Sequence, residues 1–281
     1  MTLAVLIFLF CCGCVFAYGI LTCDRLARTL PSYERVDISP ILEKRERGDA
    51  LTDEEYDTLS AQTGILVRDV LDSETNERLL AFQEAFFFAG EIRHEEVVPG
   101  CTYHDMLFDP DTGEEYVAPM VKLEAGDVLI SETSHTLGWP TGHAALVLDR
   151  NYLLQAAVIG TDSIKSTPRA SNSIPWFETA SNFMVLRLKN ATAEERKEIA
   201  DNAEKHLIGV PYHFVAGVFT PKDQGEKPYA TTCSHLVWQA FKYFGYDIDA
   251  DGGPVCTPRD IANSPYFEVV QIYGFDPAKG W

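Results

Sequence analysis

The sequence predicts an α+β fold, with an antiparallel sheet and, packed on it, a helix that begins at a cysteine. Three observations carry this. Short apolar runs bounded by turn residues recur in the second half of the chain, near 128–131, 143–149, 152–158, 183–188 and 267–273. Two of them, His143–Asp149 and Tyr152–Val158, are separated by a tight turn and read as a hairpin. Between the strands stand two helical segments with N-terminal signals, one opening at Thr192 and one at Thr232.

In chain order, residues 1–23 come first and carry no charge. They are set apart from the fold as a signal or membrane anchor. Val15-Phe16-Ala17 places small residues where a signal peptidase reads, with cleavage before Tyr18. The run from Leu3 to Leu21 is also just long enough to span a bilayer and remain as an anchor. No basic residue precedes it, and Arg25, Arg28 and Arg35 follow it, which is awkward for a simple exported C-terminus. The expectation is a membrane-anchored or secreted protein, associated with the membrane through residues 1–23, with its catalytic part outside the cytoplasm.

Residues 24–121 read as an acidic helical extension, with 9 basic and 23 acidic residues. Thr52-Asp53-Glu54-Glu55 is a capping box, opening a helix that stops near Gly64. A second helix is expected from about Val67 to Ala89. Val70, Leu71, Leu79, Leu80, Phe82, Phe86 and Phe87 are too many apolar residues for a solvated helix, so it packs on the downstream domain or binds another protein. Residues 99–120, rich in Pro, Gly and Asp, read as a connecting loop. His94 and His104 read as surface histidines. The net charge of -19, with no basic cluster, argues against nucleic-acid binding.

Residues 122–281 are the domain expected to carry chemistry. Thr192-Ala193-Glu194-Glu195 caps a helix ending near Gly209. Thr232 caps the next, whose Leu236, Val237, Ala240, Phe241 and Phe244 form a buried stripe before Gly245. Cys233 therefore stands at the positive end of a helix dipole, where a thiolate is stabilised. The competing reading is a buried structural cysteine. His143 opens the first hairpin strand and Gln155 interrupts the second. Polar residues so placed meet on one face, where a histidine takes a thiol's proton and a third group orients it. Alone, His143 is an ordinary strand-end histidine and Gln155 an edge-strand polar residue; their joint placement raises both.

Other residues compete for these roles. His135, in a loop before His143, is an alternative base. His235 points to a different side of its helix from Cys233, and His213 could line the cleft. Cys256 lies in a rigid Pro-flanked loop without dipole activation. Cys101 and Cys256 are one pairing open to an exported domain, though sequence does not fix connectivity. No C-x-x-C pair occurs, and neither a metal nor an organic cofactor is implied.

Together, Gly126-Asp127-Val128-Leu129-Ile130, Gly142-His143-Ala144-Ala145-Leu146-Val147, Leu154-Gln155-Ala156, Gly209-Val210-Pro211-Tyr212 and Cys233-Ser234-His235-Leu236-Val237-Trp238 resemble the circularly permuted NlpC-type papain-like hydrolases, the YiiX-like branch. The resemblance covers roughly residues 122–275. In the permuted group the histidine precedes the cysteine, as here. The resemblance implies a papain-like domain with Cys233 as nucleophile, His143 as base and Gln155 in the orienting position. That position is often acidic in the family, so glutamine departs from the pattern. Tyr212 matches a family tyrosine near the site, suited to an oxyanion or to packing, and Asp127 a structural turn residue. The implied activity is a cysteine peptidase or amidase cleaving an amide or isopeptide bond, with cell-wall peptide (peptidoglycan) as the natural substrate. Two alternatives are lipid acyl transfer of the lecithin retinol acyltransferase-like type and a binding module that keeps the fold without catalysis.

Overall fold

The computed structural model describes residues 2–23, 28–156, 162–166, 179–214, 216, 217 and 219–276. Helix α1 covers Thr2–Cys23; its side chains are described over 5–14 and at 17. Among the described residues no helix is long and apolar enough to cross a membrane. Four short helices follow: α2 (Ser39–Glu46), α3 (Asp53–Thr63), α4 (Arg68–Ser73) and α5 (Asn76–Phe87). The capping box at Thr52 forms as the sequence predicts. Gly64 ends α3 with φ +73, and a Cβ there would collide with the backbone carbonyl of Ile272.

The helix expected over 67–89 is two helices. Glu74 and Thr75 are extended, and the Thr75 hydroxyl accepts from the Arg78 N–H to start α5 afresh. Leu79, Phe82 and Phe86 are buried as expected, whereas Leu80 is 41% exposed. The segment before residue 122 is helical only in part. Glu91–Val98 forms β1 and Thr102–Phe108 forms β2, so the loop expected over 99–120 contains a strand. The charges of β1 hid it, as charges do on an edge strand, and the turn-forming residues around 99–120 cluster beyond Phe108.

The remaining strands are β3 (Val128–Ser131), β4 (Ser134–Thr136), β5 (Trp139–Pro140), β6 (His143–Asp149), β7 (Tyr152–Gln155), β8 (Ile164–Ser166), β9 (Phe183–Leu188) and, after the last helices, β10 (Phe267–Tyr273). The hairpin, β9 and β10 stand where the sequence places them; residues 157 and 158 of the return strand lie outside the described residues. The helices are α6 (Ala193–Leu207), α7 (Cys233–Lys242) and α8 (Pro258–Ala262). The strands form two antiparallel sheets, one of six strands in the order β10-β9-β3-β6-β7-β8 and one of four in the order β1-β2-β4-β5.

The six-stranded sheet is buried on both faces because its strands are apolar at successive positions. Val128, Ile130, Leu146 and Leu186 pack with α6 and α7. Leu129, Ala145, Val147 and Val185 pack with α2 to α5. The fold is thus α+β, with antiparallel sheets and helices on both sides of the larger one. Asp127, fully buried at the head of β3, receives two hydrogen bonds of 2.8 Å from Arg187 on β9. Arg187→Ala leaves that carboxylate buried and unpaired, and is expected to cost about 3–5 kcal/mol. Chemical denaturation checks this through the transition midpoint.

Cys101 and Cys256 are both free thiols, so the disulfide weighed above is not formed. Cys101 lies in the β1–β2 turn and Cys256 in the loop that leads into α8, in separate elements.

Candidate active site

Helix α7 begins at Cys233 because Thr232 is extended and its hydroxyl accepts from the His235 N–H at 3.2 Å. Leu236, Val237, Trp238, Ala240 and Phe241 anchor the helix in the core. Phe244, expected in the same stripe, lies beyond the last helical turn and is 38% exposed. The anchored helix fixes Cys233 at its positive end, half-buried at the edge of a cleft of about 480 Å³.

His143 opens β6 opposite Ser131 of β3. Gln155 ends β7, diagonal to it across the hairpin. The pairing anticipated from the two strands is present: His143 Nε2 lies 2.7 Å from Gln155 Oε1. Gln155 Nε2 donates to Ser166 Oγ at 2.6 Å, which fixes the amide with its oxygen toward the imidazole. His143 therefore donates through Nε2–H, leaving Nδ1 for the hydrogen bond it shares with the Cys233 thiol.

The electrostatics follow from these contacts. Burial works to raise the Cys233 pKa, but the His143 hydrogen bond and charge, with the Ala144 and Ser234 N–H groups, reverse this and the net direction is down. Burial works to lower the His143 pKa, but Cys233 and Gln155 reverse it and the net direction is up. The opposed shifts favour a thiolate–imidazolium pair. Tyr212 is bridged to Thr231 just before α7 and lines the cleft. Burial and the Cys233 charge raise its pKa, so its hydroxyl keeps a proton to donate.

The opposite wall comes from the smaller sheet, through Thr102, His104, Ser134, Thr136 and Trp139. His104 is therefore not a surface residue. It is buried beside Ser134, 3.1 Å from its hydroxyl, and burial, with the charges of His143 and His135, holds its pKa down to about 3. His94 is half-exposed with Nδ1 2.6 Å from Asp105 Oδ1. His135 lies in β4 rather than in a loop, with Nε2 2.6 Å from Asp105 Oδ2 and its ring stacked on Tyr103. It does not line the cleft, which removes it as the competing base. His235 donates through Nε2–H to the Lys222 carbonyl and faces Thr231 through Nδ1, turned from Cys233. His213 is exposed and outside the cleft lining. Cys256 lines the cleft, but burial pushes its thiol pKa far up.

Sequence reasoning missed Ser166, Glu132 and the buried Asp105. A carboxylate inside the apolar run Tyr103–Phe108 was the available signal for Asp105; nothing in the sequence distinguished Ser166. Among the described residues, only Asp249, Asp251 and Asp260 bring three metal-ligand atoms within 4.8 Å of one another, and Asp249 is already paired with Lys222.

No protein-family model and no curated protein matches this chain. Among solved structures it is similar to the crystal structure of the metalloprotein yiiX from Escherichia coli O157:H7. The identity is 15% and the TM-score 0.39, over 56% of this chain and 99% of that one.

Proposed function

We propose that this chain is a thiol hydrolase with a permuted NlpC-type, papain-like catalytic unit, cleaving an amide or isopeptide bond. The observation that carries the reading is the linked set Cys233–His143–Gln155, with the cysteine at a helix N-terminus and both ends of the imidazole engaged.

The Cys233 thiolate attacks the carbonyl carbon and forms the C–S bond. The carbonyl oxygen takes the negative charge, facing the backbone N–H of Cys233, which has no hydrogen bond among the described residues, and the Tyr212 hydroxyl. His143 Nδ1–H then protonates the leaving amine as the C–N bond breaks, giving a thioester. Water, losing a proton to the now neutral Nδ1, attacks the thioester. The acid departs and the thiol is restored. Gln155 holds the imidazole in the tautomer this cycle needs but brings no negative charge to the imidazolium.

The proposed substrate is cell-wall peptide, met outside the cytoplasm by a protein that is membrane-anchored through residues 1–23 or secreted. This rests on the resemblance carried by the motifs, not on the cleft. Mass spectrometry of protein quenched during reaction with peptidoglycan fragments tests it. A peptidyl adduct on Cys233 is expected. A fatty-acyl adduct after exposure to phospholipid vesicles, with no peptidyl adduct, would move the reading to lipid acyl transfer.

A further inference from the structure

The smaller sheet ends in a hairpin whose tip runs against local preference. Thr136 of β4 pairs with Trp139 of β5, so Leu137 and Gly138 are the two turn residues. Both have positive φ, +52 at Leu137 and +81 at Gly138. Such a turn favours Asn-Gly, because a bulky side chain is strained at the first position. Among the described residues the other non-glycine residue with positive φ is Asn190, and asparagine tolerates that conformation. Leu137 therefore holds a strained backbone, and what it presents there is an apolar side chain that is 53% exposed.

The surroundings of the tip are apolar too. Trp139 and Pro140 follow it and line the cleft, as does the exposed Phe214. The Leu137 N–H donates to the Cys101 carbonyl at 2.7 Å, which joins the tip to the β1–β2 turn. Residues 97–101 and 136–142 hold no charge in a chain of net charge -19. Glu96, at their border, turns its carboxylate back to the Gly100 N–H at 3.4 Å. The charged residues of the cleft, Glu132 and Arg259, stand on other elements, just after β3 and in α8. Helix α1 lies against β5. It carries no charge, and its residues 5–10 are all apolar and exposed. A helix that is apolar all round is suited to an apolar medium, not to water.

We infer that the tip of the β4–β5 hairpin, with the β1–β2 turn beside it, enters the surface of a lipid bilayer held by α1, so that the cleft opens at the lipid–water boundary. An indole suits that boundary, with an apolar body and a polar N–H. A bilayer fits better than a protein partner because the apolar tip is continuous with a helix apolar on every side. A neutral bilayer fits better than an anionic one because the chain is acidic. The inference rests on residues 1–23 being a membrane element; the hydrolase chemistry does not enter it.

The full-length chain is incorporated into phosphatidylcholine vesicles with photoreactive p-benzoylphenylalanine at position 137, at 139 or, as a control, at 266. Tyr266 is exposed and lies at the opposite end of the six-stranded sheet from His143. Irradiation is expected to give lipid adducts at 137 and 139 and none at 266. Flotation of the vesicles reports the anchor separately. A chain that floats without lipid adducts at 137 and 139, or that crosslinks there to protein instead, overturns the docking and leaves the anchor. A chain that does not float overturns both. Leu137→Asn, which suits the turn, is expected to raise the thermal unfolding midpoint while weakening lipid adduct formation at 139 by about tenfold, the scale of withholding one leucine from apolar surroundings. A lower midpoint with unchanged adducts gives Leu137 a structural role and overturns the assignment.

Discussion

Cys233→Ala is expected to abolish amide cleavage, lowering single-turnover product release by about 10⁴-fold or more, the scale seen when a covalent nucleophile is removed. No nearby group replaces it. The Cys256 thiol has its pKa raised by burial and no hydrogen bond to His143. The Ser234 hydroxyl donates to the Cys256 carbonyl at 2.7 Å, away from any role as nucleophile. Cys233→Ser is expected to fail nearly as badly, because the pair works by transferring a thiol proton and a hydroxyl gives its proton up far less readily. Both variants leave the buried face of α7 untouched, so their unfolding transitions should match the wild type. Residual cleavage within tenfold of wild type in Cys233→Ala would place the chemistry elsewhere.

The second large effect is expected at Gln155. Gln155→Ala removes the acceptor at His143 Nε2, frees the ring to rotate and breaks the link to Ser166. A loss of roughly a hundredfold in kcat/KM is expected, the low end of what a positioned base contributes. Gln155→Glu should act in the opposite sense. A carboxylate at 2.7 Å stabilises the imidazolium, so His143 holds its proton to higher pH. The sign follows from the pair. Activity rises as the Cys233 thiol ionises and falls as the imidazolium loses its proton, so raising the His143 pKa moves only the alkaline limb upward. Steady-state rates across pH in the two variants check this.

Much of this site is legible in the sequence because it is built from local signals. The cap at Thr232, the stripe behind Cys233 and the hairpin that brings His143 to Gln155 each follow from spacing within about a dozen residues. The capping boxes at Thr52 and Thr192 and the strands Phe183–Leu188 and Phe267–Tyr273 are legible for the same reason. What escaped depends on long-range pairing. β2 meets β4 through Tyr103 and His135, and only that contact turns a charged, loop-like stretch into the second wall of the cleft. His104 changes with it, from a histidine among polar neighbours to one buried beside Ser134. The break between α4 and α5 was hidden because Leu71 and Leu79 stay in helical phase across the polar stretch 72–78, and the cap that divides the two helices is a single hydroxyl.

The measurement that bears most directly on the Cys233–His143 pair is the rate of iodoacetamide alkylation at Cys233 against pH, in wild type and His143→Ala, under reducing conditions. The thiol pKa is lowered chiefly through His143 acting against burial. Wild type is therefore expected to react rapidly below pH 7, and the variant only as pH approaches the free-thiol value of about 8.5 or above. Slow alkylation of both proteins, with one shared and ordinary pH profile, contradicts the account and leaves a binding module on this fold.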